Sequence, residues 1–323
     1  MDSVIEAEGL TKKYPEVTAV NNIDFQVKKG EVFGFLGPNG AGKTTTQRIL
    51  TGVITATSGK AFILGYDIRK EAFYAKSRIG VVPELANIYI DLSAWNNLML
   101  IGQLYDVPKE NRIKKSAELL RIFNLYERKD EKTKVFSKGM KQKLLLCMAL
   151  IHSPQILFLD EPTAGLDVVS SRLIKEMIAK FNREGVTIFL TTHNIQEADE
   201  LCNRIAVIDH GLIATIDSPE NLKKEFQSVQ TIEVAFNPPI KSEDDLKEIE
   251  YVNKVQKIGD KFKIYTNNPD ELIRQLLNFS QKRNLKIFSL NTLGPDLEEV
   301  FVKITEEHKG WSYGKEKSFS KTV

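Results

Sequence analysis

The sequence has little of three things: long apolar runs, cysteine, and excess charge of one sign. The longest apolar run, from Leu144 to Ile151, falls far short of the roughly 20 residues that a membrane-spanning helix needs. The two cysteines, Cys147 and Cys202, lie among apolar residues without metal-site spacing, so we expect reduced thiols in a core. The 45 basic and 43 acidic side chains nearly balance, so the overall charge gives no reason to expect a nucleic acid as a specific partner.

The first residues, Met1 to Glu6, lack the basic segment and apolar core of a secretion signal. We therefore expect a cytoplasmic protein, whose role at a membrane would act through another chain. The chain has 323 residues, of which 42% are hydrophobic and 27% charged. That profile predicts one large soluble domain with room for a smaller second one.

The most informative segment follows a short apolar run, Glu31 to Leu36, with the length of a buried strand. It fits the phosphate-loop pattern G-x-x-x-x-G-K-[ST] and comprises Gly37, Pro38, Asn39, Gly40, Ala41, Gly42, Lys43, Thr44 and Thr45. The glycines let the backbone wrap around an anion, and the helix that follows points its N–H groups and dipole at phosphate. We expect Lys43 to reach the β- and γ-phosphates and the Thr44 hydroxyl to bind Mg²⁺.

A second segment carries two carboxylates at the end of an apolar run. Residues 156–159 are all apolar and are followed by Asp160 and Glu161. A buried strand of this kind delivers its last residues to the carboxyl edge of a sheet, where open α/β sheets bind ligands. Asp160 is a candidate for the Mg²⁺ shell, and Glu161 is a candidate general base for an attacking water.

A third segment, residues 136–143, precedes a helix and lies shortly before Asp160. Ser137 is a natural N-cap, and Gly139 leaves its N–H exposed, so together they form a second anion site at a helix start. One chain does not need two such sites for one phosphate tail, but two chains that face each other do.

With these segments in this order, the sequence resembles the ATP-binding subunits of ABC transporters over about residues 3–217. Residues 37–45 resemble the Walker A loop, residues 157–161 Walker B with its catalytic glutamate, and residues 137–142 the signature loop, with Lys138 and Met140 where many members have Gly and Gln. Asp167 matches the D-loop, His193 the switch histidine and Tyr14 the aromatic residue that stacks on adenine.

The resemblance implies a head-to-tail dimer with two ATP molecules at its interface. Ser137 and Gly139 would then contact the γ-phosphate of the partner's ATP, and His193 would hold the γ-phosphate and the attacking water. Asp167 would carry signals across the dimer, in addition to capping the helix that follows it. Tyr14 would stack on adenine, although a tyrosine before a proline is often only a turn anchor.

One position departs from the family pattern. The Q-loop normally has glutamine after the strand that ends near residue 82, and here the residue is Glu84. Glutamate keeps the length and an acceptor oxygen, but it loses the amide donor and adds a negative charge near a triphosphate. Our hypothesis is that Glu84 still senses the metal, with altered coupling.

The organisation predicted for the chain is an α/β fold with a P-loop NTPase core, an antiparallel β entry subdomain and an inserted helical subdomain. The ATP-binding domain would span 1–218, with the helical part at about 84–140. The strand and helix signals at 219–305 follow the order β-α-β-β-α-β, which predicts a small ferredoxin-like α+β domain. Residues 306–323 have little to bury and predict a flexible tail.

The resemblance implies an ATPase, with ATP and Mg²⁺ as cofactors, that drives a separate transmembrane permease. It would act as a homodimer or beside a paired ATPase subunit, on the inner face of the cell membrane, and most resembles the exporter-like drug-resistance and sodium-export branch. Six apolar residues of the helical part are candidates for the permease groove, half of them expected in the core: Leu85, Ile88, Tyr89, Ile90, Leu92 and Trp95. A soluble ABC ATPase acting on ribosomes or DNA is the alternative, and a non-hydrolysing scaffold is disfavoured because Lys43, Asp160, Glu161 and His193 are all present.

Overall fold

An antiparallel sheet opens the chain, as the alternating apolar residues of its first segments predict. In the computed structural model, which describes residues 3–85, 87–225, 230–240, 242–293 and 297–305, four strands pair in the order β2-β1-β4-β5. Their bounds are β1 Ser3–Lys13, β2 Thr18–Lys28, β4 Ser58–Ile63 and β5 Tyr66–Asp67. The prediction of an antiparallel β entry is therefore confirmed.

A six-stranded sheet follows, in the order β10-β9-β3-β8-β7-β6. Its strands are β3 Val32–Leu36, β6 Ile79–Val82, β7 Ile156–Asp160, β8 Thr187–Thr192, β9 Arg204–Asp209 and β10 Leu212–Asp217. The five strands from β9 to β6 run parallel, and only β10 is antiparallel to its neighbour. β3, β7 and β8 are buried along their whole length, as expected for parallel strands covered on both faces.

Phenylalanine rings fill the space beside the central strands. Phe25 of β2 stacks on Phe33 of β3 with ring centroids 5.7 Å apart, and Phe189 of β8 lies within 5.5 Å of Phe35 and 5.4 Å of Phe158. These contacts join the antiparallel sheet to the parallel one in a single core. The burial of this aromatic area makes the core a rigid base for whatever the strand ends carry.

Helices surround the sheets and complete the first unit. They are α1 Lys43–Leu50, α2 Ala72–Lys76, α3 Ala94–Leu104, α4 Lys109–Ile122, α5 Lys138–Leu150, α6 Val168–Arg183 and α7 Ile195–Leu201, with 3₁₀ turns at Tyr126–Arg128 and Thr133–Val135. Ser93 caps α3 by accepting the Asn96 N–H at 3.1 Å, as predicted. Cys147 and Cys202 are buried free thiols, which confirms the expectation of reduced core cysteines.

Contacts between Cα atoms divide the chain into Met1–Ser218 and Pro219–Val323. In the second unit the elements are α8 Pro219–Glu225, β11 Gln230–Asn237, α9 Asp244–Lys247, β12 Lys254–Ile258, β13 Lys261–Thr266, α10 Pro269–Lys282 and β14 Lys286–Leu293, with a further helix over 297–305. The sheet order is β12-β13-β11-β14, with every pair antiparallel. The β-α-β-β-α-β order from β11 to β14 is the predicted one, and the ferredoxin-like assignment stays a prediction.

The predicted tail, 306–323, lies outside the described residues. Among the helices that the structure describes, none has the length and apolar character needed to cross a membrane.

Candidate active site

The strand order brings four of the predicted segments to one edge of the parallel sheet. β3, β8, β7 and β6 are consecutive neighbours, and their carboxyl ends lead into the phosphate loop, His193, Glu161 and Glu84 respectively. Segments that are up to 156 positions apart in sequence therefore meet because parallel neighbours end at the same edge.

The glycines of the phosphate loop are required for different reasons. A Cβ at Gly37 would lie 2.2 Å from the Ile208 carbonyl oxygen, and one at Gly42 would lie 2.3 Å from the Ala19 carbonyl oxygen. Gly40 has φ +84° with nothing within 4 Å of a Cβ position, so its backbone faces open space. Packing thus requires glycine at 37 and 42, and a positive φ, which Gly42 shares at +106°, favours it at 40.

Lys43 begins α1 and points back into the loop. Its Nζ donates to the Gly37 carbonyl at 2.8 Å and to the Pro38 carbonyl at 3.1 Å, and it lies 3.6 Å from a Glu161 carboxylate oxygen. Burial lowers the pKa of Lys43, and the nearby charge and hydrogen bond of Glu161 oppose that shift. The residue is 6% exposed, so the ammonium has a low-dielectric position in which an anion would be attracted strongly.

Thr44 and Asp160 form the next pair along the same edge. The Thr44 hydroxyl donates to Asp160 Oδ1 at 3.1 Å, and the Thr191 hydroxyl donates to the same oxygen. Hydroxyl and carboxylate oxygens side by side are the ligand type that Mg²⁺ prefers. The residues present therefore fit a magnesium ion.

The Glu161 carboxylate lies between the Lys43 ammonium and the His193 imidazole. One carboxylate oxygen faces Lys43, and the other is 2.9 Å from His193 Nδ1. Its backbone has φ +49°, a left-handed conformation that is uncommon for a non-glycine residue, and its N–H donates to the Thr191 carbonyl at 2.9 Å. This backbone turns the carboxylate at the end of β7 toward the loop while the residue stays 9% exposed.

These groups surround a cleft of about 340 Å³. Its lining comprises Ala19, Asn39, Gly40, Gly42, Lys43, Thr44, Thr45, Glu84, Glu161 and His193. All three candidate catalytic residues and Glu84 thus face one space, which is lined by an ammonium and by backbone of the glycine loop. The arrangement can hold a polyanion and place a carboxylate beside it as a proton acceptor.

The signature segment lies apart from the cleft lining that the described residues provide. Ser137 is exposed and caps α5, accepting the Met140 N–H at 3.3 Å. Gly139 is buried against α6, since a Cβ there would lie 2.6 Å from Ser170 Oγ. Asp167 caps α6 by accepting the Ser170 N–H at 2.8 Å, and that hydrogen bond keeps the pKa of Asp167 low. Within one chain, the predicted signature and D-loop residues form their own cluster.

Tyr14 is also outside the described cleft lining. It is 43% exposed, its backbone pairs with Val17 in a turn, and the Lys12 ammonium lies 5.2 Å from the centre of its ring. The turn-anchor interpretation of Tyr14 therefore has a structural basis, and stacking on adenine stays a prediction.

Sequence reasoning missed the residues that hold these carboxylates in place. Thr191 binds Asp160, and the Thr192 hydroxyl lies 3.5 Å from Glu161. Glu197 is 1% exposed and accepts the Thr163 hydroxyl at 2.7 Å; burial raises the pKa of its carboxyl group. Two signals were available in the sequence: the paired threonines at the end of β8, and the spacing of Asn194 and Glu197, which is that of an N-cap and its third helical residue.

A second cavity of about 460 Å³ lies beside the cleft, between α1, α3 and α5. Glu84 lines both spaces. Of the six apolar residues predicted for a permease groove, only Leu85, which is 82% exposed, lines this cavity. Ile88 is 8% exposed and belongs to the core, as was expected for half of the six; further apolar side chains that line the cavity include Val53, Val81, Ile101 and Met148.

Comparisons with known proteins find relatives of this chain in sequence and in structure. A family model described as ABC transporter matches residues 20–164. The linearmycin resistance ATP-binding protein LnrL of Bacillus subtilis is 34% identical over 309 residues, covering 94% of this chain and 98% of the relative. The Nod factor export ATP-binding protein I of a Rhizobium species is 34% identical over 301 residues, covering 93% and 96%. A solved ATP-binding cassette dimer in a post-hydrolysis state, with ADP and Pi bound, matches 66% of this chain and 98% of its own with a TM-score of 0.61 and 26% identity.

Proposed function

This chain belongs to the ATP-binding subunits of ABC transporters, and we propose on that premise that two ATP-binding units close around ATP to drive export through a separate permease. As a member of that family it is an ATPase and the motor subunit of a transporter. The proposal adds the roles of individual residues, the composite site, the direction of transport and the docking groove.

The observation that carries the proposal is the Glu161 carboxylate held between Lys43 and His193 at the edge of the cleft. In the proposed reaction Lys43 binds the β- and γ-phosphate oxygens, and the loop N–H groups bind the rest of the anion. Glu161 accepts a proton from the attacking water as general base. His193, which is half exposed, positions Glu161 and contacts the γ-phosphate.

Thr44 and Asp160 would hold the Mg²⁺ ion, given the hydroxyl–carboxylate contact between them. The ion supplies charge neutralisation at the phosphate oxygens when it is bound. Glu84 lies on the wall of the same cleft, and its charge favours the protonated form of Lys43. A carboxylate at this position would therefore compete for the same cations as the triphosphate does.

The second half of the site comes, in this proposal, from another chain. Ser137 and the start of α5 present a helix N-terminus on the surface, where it can bind an anion. Val168 and Val169, next to Asp167, are 84% and 77% exposed, so apolar side chains lie on the surface beside the signature cluster. Large exposed apolar side chains of this kind mark interaction surfaces, which supports Asp167 and its neighbours as contacts across a dimer.

The permease would dock on the 460 Å³ cavity between α1, α3 and α5. Glu84 belongs to both the cleft and this cavity, so a helix of the permease that occupies the cavity would act on the cleft through Glu84. The chain would in this way sit peripherally on the inner face of the cell membrane.

The relatives named for linearmycin resistance and Nod factor export support export as the direction of transport. Residues 1–218 would form the motor, and 219–305 an accessory domain that supports or regulates the dimer.

The test is purification of the full chain from its native membrane in gentle detergent. We expect an integral membrane protein to co-purify, and we expect the complex to hydrolyse ATP. Co-purification with ribosomal particles or DNA instead would favour the soluble alternative, which nothing in the comparisons supports.

A further inference from the structure

Three aromatic rings, of which two are exposed, lie together on the surface of the first unit. We call Tyr66, Phe73 and Tyr74 the aromatic patch. The rings of Tyr66 and Tyr74 are stacked with centroids 5.6 Å apart, and Phe73 meets Tyr74 edge-on at 5.9 Å. Phe73 is 76% exposed and Tyr74 is 54% exposed. A contiguous group of large exposed apolar side chains is uncommon unless something binds to it.

The patch is anchored to the core at two points. Ala75 of the short helix α2 is fully buried, and Tyr66 packs partly against the core. Phe73 and Tyr74 of the same helix face the solvent.

The segment that carries the patch also carries four basic side chains, which we call its basic rim. Arg69, Lys70 and Lys76 are exposed, and the Arg78 guanidinium lies 5.0 Å from the centre of the Tyr66 ring. The acidic groups of the same segment are Asp67 and Glu71, and an oxygen of each accepts a backbone N–H, from Arg69 and from Asp67 respectively. Four cations and two anions give a local excess of positive charge on a chain that is nearly neutral overall.

The patch extends toward the cavity proposed for the permease. Lys76 Nζ donates to the Gly52 carbonyl at 3.0 Å, and the next residue, Val53, is 66% exposed and lines that cavity. The aromatic patch thus borders the face that would point to the membrane if the proposed function holds.

We propose that the aromatic patch and its basic rim bind the headgroup layer of an anionic membrane. Exposed Tyr and Phe rings flanked by Lys and Arg match that layer, because the rings enter the interface while the cations attract acidic headgroups. A single patch of this size gives weak, salt-sensitive binding, so its role is to orient a subunit that the permease already holds. This inference rests on the proposed function only for its location at the membrane.

The test uses the full chain labelled at one introduced cysteine, Ser77→Cys, at the exposed end of α2. Cys147 and Cys202 are buried, and burial raises the pKa of both thiols, so a maleimide fluorophore reacts at position 77. Vesicles of phosphatidylcholine with phosphatidylglycerol should shift the emission to the blue, and vesicles of phosphatidylcholine alone should not. The matched control is the same label at Val17→Cys, an exposed position outside the aromatic patch, where we expect no shift.

Substitutions then separate the contribution of the aromatic rings from that of the basic side chains. Phe73→Ser with Tyr74→Ser should abolish the shift at position 77, and Lys70→Gln should weaken partitioning about fivefold. The Phe73→Ser/Tyr74→Ser variant should hydrolyse ATP at the parental rate without vesicles, which shows that its fold is intact.

The proposal is overturned if position 77 gives no shift with anionic vesicles, or if Val17→Cys shifts equally. It is also overturned if the label responds only to added permease in detergent, because the patch is then a protein contact. None of these results changes ATP hydrolysis or permease co-purification, so this inference and the proposed function fail separately.

Discussion

The Lys43 cleft and the Ser137 segment hold their polar groups in different ways. In the cleft, Lys43 and His193 each lie within hydrogen-bond or ion-pair distance of Glu161. In the segment, Ser137 is exposed and Gly139 packs against α6, so the helix start faces outward. Among the described residues, neither of the two lines the cleft. The difference fits the proposed composite site, in which the Ser137 segment of one chain would complete the cleft of another.

The largest effect is expected from Lys43→Ala, which breaks the cleft itself. Lys43 is the ammonium that the loop carbonyls and Glu161 hold in a buried position. Its loss should weaken ATP binding and reduce turnover by about 10²-fold or more. The measurement is steady-state ATPase activity together with binding of a fluorescent ATP analogue. Lys60→Ala, at an exposed lysine of β4, is the control and should behave like the parent; near-parental turnover in Lys43→Ala would contradict the assignment.

Glu161→Gln separates binding from chemistry within the cleft. The amide keeps the size of the side chain but cannot act as a base, so turnover should fall about 10²- to 10⁴-fold while ATP affinity is retained. The Glu161 charge also favours the protonated form of Lys43. Without that charge, the pKa of Lys43 should fall further. Hydrolysis at the parental rate would show that another residue is the base.

Ser137→Arg tests the Ser137 segment, which lies outside the described cleft lining. The substitution adds a long side chain at an exposed helix start that is outside the described cleft lining. Nucleotide binding by the monomer should therefore stay within about twofold of the parent, whereas ATPase activity that depends on pairing should be lost. Ser58→Arg, at an exposed serine of β4, is the matched control. A loss of monomer binding in Ser137→Arg would mean that the segment acts within its own chain.

The main residues of the cleft could be predicted from the sequence, because short local patterns specify them. The G-x-x-x-x-G-K pattern specifies Lys43 and Thr44, and a run of four apolar residues before Asp160 specifies a buried strand. The order of the strands could not be read in this way, since pairing between distant segments leaves no local pattern. The left-handed backbone of Glu161 and its hydrogen bond to the Thr191 carbonyl likewise leave no local signal in the sequence.

The cavity that we propose as the permease groove shows a second limit of sequence reasoning. Its predicted apolar residues lie in one stretch after Glu84, whereas the cavity is lined by Leu85 of that stretch together with side chains of α1, α3 and α5. Ile88 has the hydrophobicity expected of a docking residue and is in the core instead. Hydrophobicity alone does not separate a core residue from a binding residue, because both are apolar.

A smaller effect is expected from Glu84→Gln, which tests the residue shared by the cleft and the groove. Restoring an uncharged amide removes one negative charge near Lys43 and the triphosphate. We expect the Mg²⁺ concentration for half-maximal ATPase activity to change by a few-fold, with a smaller change in maximal rate. A titration of Mg²⁺ in both proteins measures this. Identical titrations and identical rates would remove Glu84 from the metal-sensing role.

The smallest effect is expected from Glu197→Gln, which concerns the support of the cleft. Burial raises the pKa of Glu197 in the folded protein above its ordinary value of 4.5, so the folded state binds more protons than the unfolded state just above that pH. The free energy of unfolding therefore decreases as pH rises through this window. Glu197→Gln cannot ionise, so that decrease should be smaller, as measured by denaturant unfolding between pH 4 and pH 7. An unchanged pH dependence would show that this carboxyl group does not contribute to it.

The most direct measurement for the composite site is the molecular mass of Glu161→Gln in solution, with and without ATP. If the triphosphate joins the cleft of one chain to the Ser137 segment of another, ATP should double the mass, and adding Ser137→Arg to the same protein should keep it at that of one chain. A protein that binds ATP but keeps the mass of a single chain at every concentration, or that doubles its mass regardless of Ser137→Arg, would contradict the account.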